Sequence, residues 1–126
     1  MRLAPRLPVH RRDGVLSVLL PAEIDLDTRT AALEQCLALL GTRPAVFVAD
    51  MTATVFCDSS GIDLLVRLRR RARLLGCELR VVAPHPAVRR VLALSGVRHL
   101  LDVRDGHAAL TGAVAAGAPL DGPGQR

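Results

Sequence analysis

The 126-residue chain has no tyrosine, no tryptophan and no lysine, and Phe47 and Phe56 are its only aromatic side chains apart from histidine. Its core must therefore be aliphatic, filled by Leu, Val and Ala. Without Tyr or Trp it lacks the side chains on which the bases of single-stranded nucleic acid usually stack. It also carries no glycine-rich phosphate loop. Cysteine is scarce and odd in number: Cys36, Cys57 and Cys77 are widely spaced, each among apolar neighbours, with no Cys-x-x-Cys pair. That pattern excludes a disulfide framework and reads as reduced core thiols in a reducing cytosol. A metal site built from Cys57, Cys77, His85 and His99 would have none of the usual ligand spacings, so no metal and no other cofactor is expected.

Long hydrophobic runs are absent too. No stretch approaches the ~18 uninterrupted apolar residues of a spanning helix, so no membrane insertion is expected. Arg2, Arg6, Arg11 and Arg12 ahead of the apolar run Val15 to Leu20 superficially imitate a signal peptide. The imitation fails, because Asp13 sits at the boundary, the run stops at Pro21, and Glu23, Asp25 and Asp27 stand where small cleavage-site residues belong. The expectation is a soluble, cytoplasmic protein.

What is present is arginine. It supplies all seventeen basic residues and gives a net charge of +5 and a pI near 10.8. Such a balance suits an acidic partner or nucleic acid. The run Arg67-Leu68-Arg69-Arg70-Arg71-Ala72-Arg73 invites the nucleic-acid reading through counterion release. With no stacking aromatics and no other cation in the chain, it is read instead as a solvated or partner-binding helix face, with no direct nucleic-acid contact.

The length fits one domain that buries roughly two thirds of the surface its unfolded chain exposes. Val15 to Leu20 reads as a strand that follows an Asp13-Gly14 turn and pairs with Leu7 to His10. Asp27 to Leu40 carries apolar residues at three- and four-residue steps, with Asp27 or Thr28 as cap and Gly41 as stop, and reads as a helix. Ala45 to Ala49 reads as a central strand covered on both faces. A loop over Asp50 to Asp58 leads into a helix whose inner face is Leu65, Leu68, Ala72 and Leu75 and which ends at Gly76. Glu78 to Ala83 is a strand, Pro86 to Leu94 a helix, Leu100 to Val103 a strand and His107 to Ala116 a final helix. Residues 1–117 make the domain, and 118–126, rich in Pro and Gly, a disordered tail. Alternation of strand and helix after a first hairpin predicts an α/β domain with a mixed, mostly parallel sheet of four or five strands and about four helices.

In such a sheet, sites form in loops leaving the carboxyl ends of strands, which is where Asp58-Ser59-Ser60-Gly61 falls. Three roles are open to its serines. Ser60 can cap the helix, since Ser60-Gly61-Ile62-Asp63 has the Ser-x-x-Asp capping pattern, and Asp63 can then pair with Arg67 one turn on. Ser59 or Ser60 can be a hydrolase nucleophile, but the first glycine of the Gly-x-Ser-x-Gly elbow is missing. His85, His99 and His107 have only Asp102 or Asp105 to orient them. Or Ser59, left free by a Ser60 cap, can accept a phosphate. The phosphate would meet free backbone N–H groups at the positive end of the helix and would repel an acidic partner. Glu23, Asp25 and Asp27 do not match a calcium loop and read as solvated loop acids.

"VFCDSSGIDLL", with "PAEIDLDT" and "HPAVRRVLALSGVRHLLDV", resembles the STAS domain family, and within it the bacterial anti-sigma factor antagonists. The likeness runs from about Leu7 to Ala116. It implies a non-catalytic protein that binds an anti-sigma factor with serine kinase activity and so frees a sigma factor. The resemblance makes Ser59 the phosphoacceptor whose modification ends binding, and a serine phosphatase the partner that restores it. It places Glu23, Asp25, Asp58, Ser60 and Gly61 at the partner surface. The family usually has glycine where this chain has Ala22. A second implied role is a STAS subunit of a membrane lipid- or solute-transport complex, in which Ser59 has no switching duty. The small serine hydrolase is a third.

Overall fold

The structure is a computed structural model and describes residues 6–104. Strand β1 (Val9–Arg12) and strand β2 (Val15–Leu19) form an antiparallel hairpin in register Val9 with Val18 and Arg12 with Val15. Asp13 and Gly14 connect them with φ of 51° and 80°. Two consecutive positive values are what a tight two-residue hairpin turn needs, and Asp-Gly is a pair that tolerates them.

After β2 come the two-residue strand β3 (Glu23–Ile24), helix α1 (Leu26–Leu40), strand β4 (Val46–Asp50) and the equally short β5 (Phe56–Cys57). Then follow helix α2 (Ser59–Leu75), strand β6 (Glu78–Val82), helix α3 (Pro86–Leu94), a 3₁₀ turn over Val97–His99 and strand β7 (Asp102–Arg104). The main sheet has the order β1-β2-β4-β6-β7, with every pair after the hairpin parallel. Strands β3 and β5 form a separate parallel pair.

Alternation along the strands turns Leu16, Val18, Phe47, Ala49 and Val81 to one face, where they pack on Ala32, Cys36 and Leu40 of α1 and Leu64, Leu65, Leu68 and Ala72 of α2. The opposite face holds the smaller cluster Val15, Val48 and Val82. Beside it runs a charge ladder: Arg80 Nε lies 2.5 Å from Glu78, and Arg104 is 3.0 Å from Asp102, whose hydrogen bond raises the Arg104 pKa further. The expected central strand is β4, flanked by β2 and β6.

Several boundaries differ from the sequence reading. Helix α1 begins at Leu26, and its cap is Asp25 rather than Asp27 or Thr28. The Asp25 carboxylate accepts from the N–H groups of Asp27 and Thr28, at 3.0 and 3.1 Å, while the Thr28 hydroxyl accepts from Asp25 N–H. The last strand begins at Asp102 rather than Leu100, because the 3₁₀ turn uses Val97 to His99 and directs Leu101 into the core. Three helices stand among the described residues. The fourth expected helix, His107 to Ala116, and the 118–126 tail lie outside them.

All three cysteines are buried and free, as the sequence implied. Burial pushes the Cys36 thiol up to about 12 and, with a smaller contribution from the Asp58 charge, Cys57 up to about 11. Both are neutral packing groups at physiological pH.

Candidate functional site: a serine on the first turn of the second helix

The loops leaving the carboxyl ends of β2 and β4 are tied together, and that tie builds the site. Thr54 is fully buried and donates its hydroxyl to the Pro21 carbonyl at 2.7 Å. The N–H groups of Val55 and Phe56 both donate to the Ala22 carbonyl, at 2.8 and 3.2 Å. From there β3 and β5 pair in register, Glu23 with Phe56 and Ile24 with Cys57. The pleat sends Ile24 and Cys57 inward and Glu23 and Phe56 outward. Phe56 is consequently half exposed beside an exposed carboxylate, an unusual place for one of only two phenylalanines.

The pairing also fixes where α2 begins. Asp58 N–H donates to Ile24 O at 3.3 Å, which keeps Asp58 extended (φ −107°, ψ −161°) and makes it the last non-helical residue. Its carboxylate accepts from Ser60 N–H at 2.8 Å, so the cap is Asp58 and not Ser60. The Ser60-x-x-Asp63 pattern is therefore no capping box: Ser60 is the second helical residue. Asp63 instead receives Arg29 of α1 at 2.7 Å and Arg67 at 2.9 Å, the latter being the expected i,i+4 pair. If Asp58 is the cap, Asp58→Ala costs about 1 kcal/mol while Ser60→Ala stays within roughly 0.5 kcal/mol of the parent. Urea midpoints of the two variants check the assignment.

Ser59 is the first residue of α2. It is exposed, and its hydroxyl makes no hydrogen bond among the described residues. It is thus free for a different reason from the one the sequence suggested, since Asp58 does the capping. Ser60 is half-buried. Gly61 is buried, and a Cβ there would sit 2.2 Å from Cys57 Sγ and 3.3 Å from Ile24 Cγ2. Its hydrogen lets the first turn of α2 rest on the strand pair, so its part in the site is to set the height of Ser59 above the core. Glu23 is exposed, and Asp25, half-buried, caps α1. The structure therefore brings Glu23, Asp25, Asp58, Ser59, Ser60 and Gly61 to one end of the domain, where two Asp-capped helices start from paired strands.

Of the other candidate groups two already have partners, and His99 makes no hydrogen bond or ion pair among the described residues. His85 caps α3, its Nδ1 accepting from Ala87 N–H at 3.2 Å, and Asp102 is paired with Arg104. His107 and Asp105 lie outside the described residues. Among the described residues no group of three or more His, Cys, Asp and Glu side chains is placed to hold a metal. Sequence reasoning missed Phe56, whose exposure follows from a two-residue strand too short to show any period.

An α/β sheet whose strand-to-helix loops converge on one exposed serine defines the class of domain. The chain belongs to the STAS domain family, whose model matches residues 6–110. The crystal structure of an anti-sigma factor antagonist from Mycobacterium paratuberculosis is similar, with a TM-score of 0.76 and 29% identity over 86% of this chain and 92% of that one. SpoIIAA, the Bacillus cell fate determinant, in its unphosphorylated form has a TM-score of 0.71 at 16% identity, covering 90% of this chain and 99% of its own. A sulfate transporter family protein from Wolinella succinogenes has a TM-score of 0.68 at 19% identity, covering 81% of this chain and 83% of that one. The last two share the fold. No curated protein matches the chain.

Proposed function

We propose that this protein is a cytoplasmic anti-sigma factor antagonist, a binding protein rather than an enzyme. It captures an anti-sigma factor that is also a serine kinase, and phosphorylation of Ser59 by that kinase releases it. A serine phosphatase resets the cycle. The observation that carries the reading is the Ser59 hydroxyl, exposed on the first turn of α2 and without a hydrogen bond among the described residues. Family membership and the 29% identity to a Mycobacterium paratuberculosis anti-sigma factor antagonist support it.

The physics of the switch follows from that position. A phosphate on Ser59 breaks no existing hydrogen bond and sits at the favourable end of the helix dipole, so the fold survives. It adds roughly 1.5 to 2 negative charges on a surface that already carries Glu23, Asp25 and Asp58. A kinase docked there holds the phosphates of its nucleotide against the same spot. Once the transfer is complete, product and nucleotide repel each other and the complex opens. Before transfer, the outward pair Glu23 and Phe56 gives the partner one charged and one apolar contact beside the acceptor.

The fold likeness to a sulfate transporter family protein keeps the transport-complex subunit as a second reading. Among the described residues no helix is long and apolar enough to cross a membrane; in that role the domain would be the subunit docked on a membrane-spanning complex. One experiment separates the two: the protein is added to the anti-sigma factor bound to its sigma factor, and the mixture is resolved by size exclusion. Antagonism releases free sigma factor in proportion to added protein. A sigma complex that stays intact at excess argues against it.

A further inference from the structure

The carboxyl-terminal half of α2 presents a surface that the Ser59 site does not use. Arg69, Arg70 and Arg73, together with Val66, Leu74 and Leu100, line an open groove of about 560 Å³. Leu74 is 73% exposed and Leu100 45%. None of the three arginines has a carboxylate partner among the described residues, although Arg29, Arg67, Arg80 and Arg104 all do. Glu78 and Asp102 line an adjoining pocket together with Arg69 and Arg73, but their ion pairs go to Arg80 and Arg104. A solvated arginine or a lone surface leucine needs no explanation by itself. Three unpaired cations around two exposed leucines in one concavity are a more specific arrangement.

We propose that this groove docks an acidic amphipathic helix of a partner protein. Leucine-sized side chains of that helix seat between Val66, Leu74 and Leu100, and its carboxylates meet Arg69, Arg70 and Arg73. Charge complementarity selects an acidic occupant, because guanidinium groups fixed on a regular helix offer paired donors in the geometry that carboxylates take. The concavity and the apolar side chains in its lining select a convex amphipathic helix, which anchors through residues at i, i+3, i+4 and i+7. A nucleic-acid backbone would engage the arginines but leave both leucines wet, and a membrane surface would not fill a groove.

This goes beyond the proposed switch, because the groove is a second docking site independent of Ser59. Leu74 lies fifteen residues further along α2 than Ser59, about 22 Å at 1.5 Å per residue, beyond the ~8 Å screening length of physiological salt. A partner held in the groove stays bound through both states of Ser59.

The test is a fluorescence anisotropy titration of the full chain with labelled probes. These are a Glu/Leu peptide with leucines at i, i+3, i+4 and i+7, a shuffled peptide of the same composition, duplex DNA, and phosphatidylglycerol vesicles. The amphipathic peptide is expected to bind about tenfold tighter than the shuffled one. Leu74→Ser and the pair Arg70→Gln/Arg73→Gln are each expected to weaken it by about tenfold with unchanged melting, while Ser59→Asp leaves it unaltered. Equal binding of the shuffled peptide, indifference to Leu74→Ser, or tighter binding of DNA or vesicles through Arg70 and Arg73 overturns the proposal. Loss of peptide binding in Ser59→Asp also overturns it, by placing the peptide at the serine site. Failure of sigma factor release, by contrast, sinks only the antagonist reading and leaves the groove standing.

Discussion

Replacing Ser59 with aspartate is expected to weaken binding of the anti-sigma factor by roughly thirtyfold, about 2 kcal/mol, while leaving circular dichroism and melting unchanged. The two halves of this expectation have separate causes. On the proposed function, binding is lost because a carboxylate now stands at Ser59, at the same end of the domain as Asp58 and Glu23, where a kinase partner would bring its nucleotide phosphates. Like charges brought together at an interface cost several kcal/mol, and a flexible single charge recovers part of that by turning away. Stability is kept because Ser59 is exposed, makes no hydrogen bond among the described residues and lies on the first turn, where a negative charge is favoured by a few tenths of a kcal/mol. Isothermal titration against the nucleotide-loaded partner measures the first half and thermal melting the second. If affinity and melting fell together, the effect would be structural, and Ser59 would be part of the scaffold.

The second large effect belongs to Gly61. In an open helix, glycine to alanine stabilises by about 1 kcal/mol. At this position the new methyl would lie 2.2 Å from Cys57 Sγ, a distance at which something must move. The atom it meets is the end of the Cys57 side chain, but that side chain is buried and has a single rotatable bond, and Ile24 Cγ2 stands 3.3 Å away on the same strand pair. The clash therefore wins, and Gly61→Ala should destabilise by about 1–3 kcal/mol. Cys57→Ala removes the sulfur and leaves Cys57 Cβ at 3.5 Å and Ile24 Cγ2 at 3.3 Å as the closest neighbours. In that background the same Gly61→Ala change should be close to neutral, a coupling of about 2 kcal/mol in a double-mutant cycle of urea midpoints. A stabilising Gly61→Ala would show that α2 does not rest on β5 as described. Binding offers a second readout, since lifting the first turn of α2 moves Ser59 relative to Glu23 and Phe56.

Much of this architecture was legible in the sequence because the relevant signals are periodic or chemically unambiguous. Asp13-Gly14 ahead of the apolar run Val15 to Leu20 specified the hairpin, although its first strand is the exposed Val9–Arg12 rather than Leu7 to His10. The run Pro86 to Leu94, with proline at its start and Gly96 beyond its end, matched α3 at both ends. Gly76, at φ 73°, ended α2 as a left-handed cap. The site was harder for two physical reasons. Asp58, Ser59 and Ser60 can all cap a helix, and nothing local chooses among them. The choice is made by a tertiary contact, Asp58 N–H on the Ile24 carbonyl, which the sequence does not announce. Strands β3 and β5 are two residues each and carry no readable period, yet they decide that Glu23 and Phe56 face outward together. Likewise, Gly61 read as part of a motif. Only packing reveals that its missing methyl is what keeps the serine seated over the strand pair.

The account stands or falls on where phosphate goes. The most direct measurement is intact-mass and fragment analysis of the protein after incubation with the anti-sigma factor kinase and ATP. The account predicts a single added phosphate mapped to Ser59 and absent from Ser59→Ala. A mass gain that persists in Ser59→Ala, or that maps to Ser60 or to a distant residue, would contradict it.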